Sequence, residues 1–412
     1  MVEETSPPAI RATGLIRDLN QAAVLRLIAA EPRIARAEIA RRLPLSPATV
    51  TAVTRRLLEG GLIRVADRAP SNGGRPRLLL EIVGGAAHAL GVKIAADHVT
   101  AVRVDLDAEV VERHDYHFDA AAADALDRLG DLLAPLVDEE PRRSLLGVGL
   151  GVPGVVGPKG QVDSPMLGWR DLPATELLER RLGVPVLADN DVNTLAVAER
   201  LYGRGRDADC FLTVTIGRGV GLGIVIGGSV YRGYGGGAGE FGHVTAVVDG
   251  ERCSCGKRGC LETVASDVAL VARARRSRVI GRRQGIETLR ELAAEGRPDA
   301  LVLYADAGRA LGRALADLVN VLAPELVLLS GEGILAWPQL AGAVEEAFRE
   351  GLFPPLHSVQ LEVDPWDDAK WARGAASLVL RPTFAPALHD SRLDELVRAR
   401  LAGSRRTESV VA

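Results

Sequence analysis

Three of the four cysteines in this 412-residue chain lie within eight positions, at Cys253, Cys255 and Cys260. Three thiolates so close in sequence converge on one point only if the backbone turns sharply between them. Gly256 and Gly259 permit such a turn, because glycine reaches backbone conformations that other residues avoid. Four cysteines are too few for a disulfide framework in a chain of this length, so another role is expected for the cluster.

A structural zinc site is the role that this spacing predicts. Zinc prefers four ligands in a tetrahedron, and His243, ten residues before Cys253, supplies the fourth. A site with His243, Cys253, Cys255 and Cys260 has no open position for a substrate, so the metal should be structural rather than catalytic. The alternative is a set of free or redox-active thiols.

Charge is distributed unevenly along the chain. Residues 1–80 contain 13 arginines and no lysine against seven acidic residues, whereas the whole chain carries a net charge of −4. A basic head on an acidic body predicts that only the head meets a polyanion. Neither a long apolar run nor a secretory signal pattern is present, so a cytoplasmic protein with no membrane partner is expected.

The basic head, residues 15–82, has the pattern of a winged helix-turn-helix. Apolar spacing predicts a first helix in "LNQAAVLRLIAAEP" and a second over Arg36–Leu43. The third is predicted over Pro47–Glu59, with Ser46 as N-cap, Pro47 at the first helical position and Gly60-Gly61 after its end. Two extended runs, "LIRVA" and "RLLLEI", then form the strands of a wing.

The predicted third helix has one face suited to a small core and another suited to DNA. Its apolar stripe is Val50, Val53, Leu57 and Leu58. Small, hydroxylated and basic side chains off that stripe fit a major groove, and a wing-tip arginine fits a minor groove. The predicted DNA-binding residues are Pro47, Thr49, Thr51, Arg55, Arg56 and Arg75. The alternative is a helical oligomerisation or docking domain.

The rest of the chain alternates β-rich and helical runs, as in an α/β fold. "ALGVKIAADHVTAVRVDLDAEVV" reads as two or three consecutive strands, and "VPVLADNDVNTLAVAERLYG" as strand, polar turn and helix. "CFLTVTIGRGVGLGIVIGGSVYRG" reads as a hairpin with glycine-rich turns, and "ELVLLSGEG" as a buried strand ending in a glycine turn.

The motif "GEFGH", followed by "CSCGKRGCLE", resembles the signature of the ROK family, which contains sugar kinases and sugar-responsive repressors. The head resembles that of the repressor branch. The resemblance implies an actin-like (RNase H-like), two-lobed sugar-kinase fold for the body, with zinc ligands at the four positions named above. Three domains are expected. The head covers 15–82, and the first lobe covers 86–200 and is completed by about 366–385. The second lobe covers 201–365 and contains the zinc loop.

The resemblance also implies a sugar-binding cleft between the lobes. Carboxylates and amides fix the directions of sugar hydroxyls, and the matching residues are Asn190, Asp191, Glu240, His243 and Glu262. His243 is expected to bind zinc with one ring nitrogen and the sugar with the other. Without the zinc loop beside them, Asn190 and Asp191 are equally well explained as caps of the following helix. Met166, where relatives often have Asn, puts one hydroxyl contact in doubt.

The nucleotide side of the body departs from the kinase pattern. Family kinases have Asp-x-Gly-Gly-Thr in the first phosphate loop, where this chain has "VKIAADH", so the carboxylate that organises magnesium is absent. Asp191 is then a vestigial catalytic base. The second loop, "TIGRGVGLG", keeps its glycines, and "SGEG" resembles the adenosine-side turn or simply ends a strand.

The sequence therefore predicts a non-enzymatic transcription regulator, a repressor, gated by a sugar in a catalytically inactive kinase-like cleft. Its expected partners are a roughly palindromic operator in double-stranded DNA, a sugar effector and further copies in a homodimer or homotetramer. The alternatives are an active ATP-dependent sugar kinase with an appended DNA-binding head and, less favoured, a nucleotide-gated regulator.

Overall fold

Two structural units account for the residues that this computed structural model describes, which are 10–69, 77–138, 144–365 and 367–384. The first unit comprises Met1–Gly154, Lys159–Asp191 and Ala372–Ala412, and the second comprises Val155–Pro158 and Val192–Trp371. The chain therefore enters the second unit twice and returns to the first at Ala372.

The head has the predicted order of helices and strands. Its helices are α1 (Ile10–Ala30), α2 (Arg36–Arg42) and α3 (Pro47–Glu59), and its strands are β1 (Ile34–Ala35), β2 (Ile63–Ala69) and β3 (Arg77–Ile82). β2 and β3 pair antiparallel as the predicted wing, and β1 adds a short third strand on the other side of β3. The Ser46 hydroxyl accepts a hydrogen bond from the Thr49 N–H at 3.1 Å, which confirms the predicted N-cap.

Buried side chains anchor α3 in the core of the head. Val50, Val53 and Leu57 are fully buried, as the apolar stripe predicts. Thr54 is also fully buried, which the pattern of apolar residues does not reveal. Its hydroxyl donates to the Val50 carbonyl at 2.8 Å and accepts from Arg36 Nε at 2.7 Å, so α3 is tied to α2.

The first unit also contains a mixed five-stranded sheet, in the order β11-β7-β4-β5-β6, and a separate three-stranded sheet has the order β10-β9-β8. β4, β5 and β6 pair antiparallel, and β7 and β11 add parallel strands. The strands after the head are β4 (His88–Ile94), β5 (His98–Asp105), β6 (Val110–His117), β7 (Leu145–Val152), β8 (Val155–Val156), β9 (Val162–Ser164), β10 (Trp169–Leu172) and β11 (Val186–Asn190). The helices here are α4 (Ala125–Asp138) and α5 (Ala174–Leu182).

The last helix, α12 (Asp368–Phe384), lies directly against this sheet. A Cβ atom at Gly149 would be 1.9 Å from the Ala375 carbonyl oxygen, and one at Gly91 would be as close to the Ala372 carbonyl. These two strand positions accept glycine alone, because the helix backbone occupies the space of a side chain.

The second unit has its own five-stranded sheet, in the order β14-β13-β12-β15-β16. Its strands are β12 (Phe211–Ile216), β13 (Val220–Ile226), β14 (Ser229–Val230), β15 (Leu326–Ser330) and β16 (Gln360–Val363). Its helices are α6 (Asp191–Tyr202), α7 (Glu262–Ala265), α8 (Asp267–Arg276), α9 (Ile286–Ala294), α10 (Pro298–Leu322) and α11 (Trp337–Gly351). A core cluster that includes Val214, Leu329 and Tyr304 joins this sheet to the helices. The predicted α/β class is thereby confirmed.

Among the described helices, none has both the length and the apolar character that crossing a membrane requires.

Candidate functional site

The four predicted metal ligands converge on one point of the second unit. The donor atoms of His243, Cys253, Cys255 and Cys260 all lie within 4.8 Å of one another. His243 ends a short 3-10 helix, and the cysteines lie on a loop closed by two isolated bridges, Thr245 to Cys260 and Arg252 to Arg258.

Two of the distances within this cluster match those around a tetrahedral ion. Zinc bonds of about 2.3 Å to sulfur and about 2.0–2.1 Å to nitrogen give edges of about 3.8 Å between two sulfurs and about 3.6 Å between sulfur and nitrogen. Cys255 Sγ and Cys260 Sγ are 3.6 Å apart, and Cys253 Sγ and His243 Nδ1 are 3.5 Å apart. The residues present therefore fit a metal ion with a Cys3His donor set.

Glycine and lysine shape the loop that carries the thiols. Gly259 has φ +74°, and a Cβ there would be 1.7 Å from the Val247 carbonyl oxygen, so the turn requires glycine. Gly256, with φ +91°, is the other turn glycine that the sequence predicts. Lys257 Nζ donates to the His243 carbonyl at 2.6 Å and links the two ends of the site. This bond cannot be predicted from the sequence, in which the only signal is a lysine within the loop.

The three thiols differ in how easily they lose a proton. Burial raises the pKa of Cys253 to about 12 and also raises the pKa of Cys260. The exposed Cys255 has a lowered pKa, because the Lys257 N–H donates a hydrogen bond to its sulfur. Buried thiolates need a nearby positive charge, and a bound metal ion supplies one and takes the place of the protons.

His243 presents its two ring nitrogens to different partners. Nδ1 lies on the Cys253 side, whereas Nε2 is 3.7 Å from Glu240 Oε2. Glu262 begins α7, and its Oε1 is 3.1 Å from Cys253 Sγ and 3.6 Å from His243 Nδ1. Glu240, His243 and Glu262 therefore form one polar group beside the three cysteines.

The other two predicted sugar contacts, Asn190 and Asp191, lie in the first unit. Asn190 ends β11, and its Nδ2 donates to the Gly154 carbonyl at 3.0 Å. Asp191 is the first residue of α6, which begins directly after β11, so the polar turn predicted between strand and helix is absent. Asp191 is favourable at this position, because a carboxylate at a helix N-terminus interacts well with the helix dipole. Met166, on the loop after β9, is exposed.

The turn between β4 and β5 corresponds to the first phosphate loop of the kinase pattern. It contains only Ala95, Ala96 and Asp97. The Ala95 N–H donates to the His98 carbonyl at 2.9 Å, and the carbonyls of Ala96 and Asp97 accept from Ala120 and Phe118. The turn is thus a tight hairpin connection whose Ala95 amide is already hydrogen-bonded.

Most glycines of "TIGRGVGLG" and "SGEG", the two other loops that resemble nucleotide loops, are required by close packing. A Cβ at Gly221 would be 2.6 Å from a methyl group of Val192, and one at Gly223 would be 2.9 Å from Ala196 Cβ. In "SGEG", Gly331 has φ +95° and a Cβ there would be 2.3 Å from the Ile216 carbonyl oxygen. Gly217 and Gly219, at the β12–β13 turn, have space for a side chain.

The exposed face of α3 carries the predicted DNA contacts. Pro47, Thr51 and Arg55 are exposed, and Thr49 and Arg56 are half-buried. Arg55 lies 3.8 Å from Glu59, and Arg56 Nε has no hydrogen-bond partner among the described residues. The sixth predicted contact, Arg75, lies outside the residues that the structure describes.

Two other arginines of the head are paired internally. Arg41 and Arg42 both donate hydrogen bonds to Glu38, which lower the pKa of that carboxyl to about 2. Arg42 also pairs with Glu31. The arginines of α2 named here therefore have close acidic partners. The arginines at the end of α3 have fewer.

Comparison with known protein families identifies both parts of the chain. The family model described as "ROK family" matches residues 89–381, and the one described as "Winged helix-turn-helix DNA-binding" matches residues 17–64. An Escherichia coli K12 protein described as the DNA-binding transcriptional dual regulator NagC is 32% identical over 379 residues, 89% of this chain and 93% of that protein. The xylose repressor of Bacillus subtilis 168 is 27% identical over 370 residues, 89% of this chain and 96% of the repressor.

Solved structures give the same assignment. A ROK family transcriptional regulator, described as a homolog of the E. coli MLC protein, superposes with a TM-score of 0.80 at 27% identity and covers 94% of this chain and 99% of its own. A ROK family glucokinase from Streptomyces griseus, solved with glucose and AMPPNP, superposes with a TM-score of 0.62 at 28% identity and covers 71% of this chain and 99% of its own. The regulator thus matches more of this chain than the kinase does.

Proposed function

This chain belongs to the ROK family, and on that premise we propose that it is a transcription repressor that binds an operator through its head and is controlled by a sugar bound to its body. The observation that carries the proposal is α3. Its exposed face holds small, hydroxylated and basic side chains within a winged helix-turn-helix joined to a sugar-kinase-like body. A recognition helix of this kind contacts bases with short side chains and phosphates with arginines.

Arg55→Ala is expected to weaken DNA binding about tenfold, since a charge-assisted contact to phosphate is lost. The dependence of log affinity on log salt concentration should become shallower by about one unit. Fluorescence anisotropy with a duplex selected from a random pool measures both quantities. The sugar response should remain, because Arg55 lies on the head. Unchanged DNA affinity in this variant would contradict the assignment of α3 as the recognition helix.

Zinc is the metal that we propose for the Cys3His cluster, in a structural role. The four ligands leave no open position, so the ion supplies no chemistry beyond fixing the loop. It would bind His243 through Nδ1, and the orientation of that ring would then be set by the metal. We propose that Nε2 of His243, together with Glu240, Glu262, Asn190 and Asp191, contacts the hydroxyl groups of the sugar.

Effector control follows if the sugar has different affinities for two conformations of the protein. The change in DNA affinity is then at most that difference in sugar affinity, and DNA changes the affinity for the sugar by the same factor as the sugar changes the affinity for DNA. Since a symmetric operator is read by symmetric pairs of heads, we propose a homodimer or homotetramer and a roughly palindromic operator.

We propose that the body does not catalyse phosphoryl transfer. The β4–β5 turn offers alanines and a hydrogen-bonded amide where family kinases have Gly-Gly-Thr, and its one carboxylate, Asp97, comes after both alanines and lies 2.8 Å from His98 Nδ1. Positioning of phosphates and magnesium provides most of the catalysis in such enzymes. A coupled assay with ATP, magnesium and a panel of aldoses should therefore show no turnover above background. Turnover would instead support the sugar kinase, whose base position, Asp191, is retained.

The function is tested by a thermal-shift screen of sugars and sugar derivatives, with and without the selected duplex. The expected effector raises the melting temperature and, in anisotropy, weakens DNA binding. Calorimetry with ATP alone tests the nucleotide-gated regulator. A protein that binds duplex DNA but responds to no sugar would refute the sugar-controlled part of the proposal.

A further inference from the structure

A second basic surface lies in the second unit, far in sequence from the head. The zinc loop contributes three exposed cations, and the connection from the end of α8 to α9 contributes five. They are Arg252, Lys257, Arg258, Arg275, Arg276, Arg278, Arg282 and Arg283. The guanidinium of Arg276 lies 3.1 Å from Glu251 Oε1 on the zinc loop, which makes the two segments one continuous surface. We call these eight side chains the body basic surface.

Its charge is opposite to that of the surrounding body. Residues 249–258 and 272–284 together hold nine Arg or Lys side chains and two acidic ones, Asp249 and Glu251. The chain beyond residue 80, by contrast, carries a net charge of −10. Concentrating cations in this way raises the local electrostatic potential and attracts anions.

The cations of this surface are poorly neutralised within the chain. Glu251 pairs with Arg276, while Arg275 donates to the Gln284 carbonyl at 2.7 Å. In the part of the chain that the structure describes, no carboxylate pairs with four of the five remaining arginines, Arg252, Arg258, Arg278 and Arg282. Arg283, next to Arg282, is likewise exposed and has no carboxylate partner in the described ranges.

One pair of arginines lowers the stability of the loop that carries it. Arg252 and Arg258 face each other across an isolated antiparallel bridge. Like charges directly opposite across a bridge repel and destabilise it. An anion that contacts both side chains removes this repulsion, so the arrangement points to an anionic partner outside the chain.

We propose that the body basic surface binds the phosphate backbone of duplex DNA, in addition to the contact made by α3. This inference rests on the proposed function, because the head brings DNA to the protein. Seven of the eight cations are arginines, whose planar guanidinium group binds phosphate oxygens in pairs. The contact would add affinity and salt dependence without reading the base sequence.

The test compares the salt dependence of binding for the full-length protein and the variant R278Q/R282Q/R283Q. The probe is a random-sequence 60-base-pair duplex, titrated by anisotropy between about 50 and 200 mM KCl. Each phosphate contact contributes about 0.9 to the slope of log affinity against log salt, so the variant's slope should be shallower by about two to three. These three residues are distant in sequence from the metal ligands, which spares the zinc loop.

The matched control is R297Q/R309Q/R349Q, which removes the same charge from three arginines of the second unit that pair with Asp299, Asp306 and Glu345. It should bind with the wild-type slope. Equal slopes for the two triple variants would overturn the inference and leave an acidic protein face as the partner to examine. If the wild-type protein binds no duplex, the proposed function itself fails. If Arg55→Ala weakens binding while both triples match wild type, the inference alone fails.

Discussion

If the proposed zinc site is correct, replacing Cys260 with serine is expected to abolish zinc binding and most of the sugar response. Cys260 is fully buried, and its sulfur lies 3.6 Å from Cys255 Sγ, so no other side chain can take its place without moving the loop. Loss of a structural metal ranks among the largest effects of a single substitution, and we expect the free energy of unfolding to fall by about 3 kcal/mol or more. Elemental analysis and chemical denaturation measure the two effects.

Cys210→Ser is the matched control for that experiment, since Cys210 lies outside the cluster. This variant should retain one equivalent of zinc and a nearly unchanged unfolding midpoint. Chelation of the wild-type protein should reproduce the Cys260→Ser result and be reversed by added zinc. Retention of a full equivalent of zinc by Cys260→Ser would show that the four residues do not form the metal site, and the assignment of His243 would be lost with it.

The sequence predicts the fold of the head and the convergence of His243 with the three cysteines, because the signals for both are local. The start of α3 follows from Ser46 and Pro47, and its end from Gly60, all adjacent to the helix that they delimit. The ligands likewise lie within 18 residues, so one loop determines the cluster. Such features can be predicted from neighbouring residues without knowing the rest of the fold.

Features that depend on distant contacts could not be predicted from the sequence. Gly149 is required because α12, more than 200 residues later, lies against β7. The buried Thr54 depends on Arg36 of another helix, and the turn between β4 and β5 is closed by carbonyl contacts to residues 118 and 120. Side-chain periodicity contains no information about such partners, since they are chosen by tertiary packing.

The candidate sugar residues lie between these two cases. Glu240, His243 and Glu262 follow from the local metal loop, whereas Asn190 and Asp191 are fifty residues away and were identified through the family resemblance alone. A test of the sugar assignment is therefore most informative at Asp191.

Asp191→Asn is expected to weaken the response to the effector sugar about 10- to 150-fold while DNA binding without sugar persists. A hydrogen bond to a charged group contributes about 1.5–3 kcal/mol, and the substitution removes that charge with little change in shape. The position at the start of α6 makes a small stability loss unavoidable, about 0.3–1 kcal/mol. The sugar concentration that half-releases the operator duplex, measured by anisotropy, gives the result. Asp127→Asn, in the first turn of α4, is the matched control.

The same variant separates the repressor from the kinase alternative. In a kinase, Asp191 would act as the general base, and its loss would lower the turnover rate far more than the affinity for the sugar. In a repressor that has no turnover, Asp191 can act only through binding, so the whole effect appears in the sugar concentration needed. If Asp191→Asn and Asp127→Asn release the operator at the same sugar concentration, the sugar contacts lie elsewhere. If Asp191→Asn needs more sugar and the wild-type protein shows no turnover, the protein is a sensor in which the carboxylate of the kinase base serves only to bind the ligand.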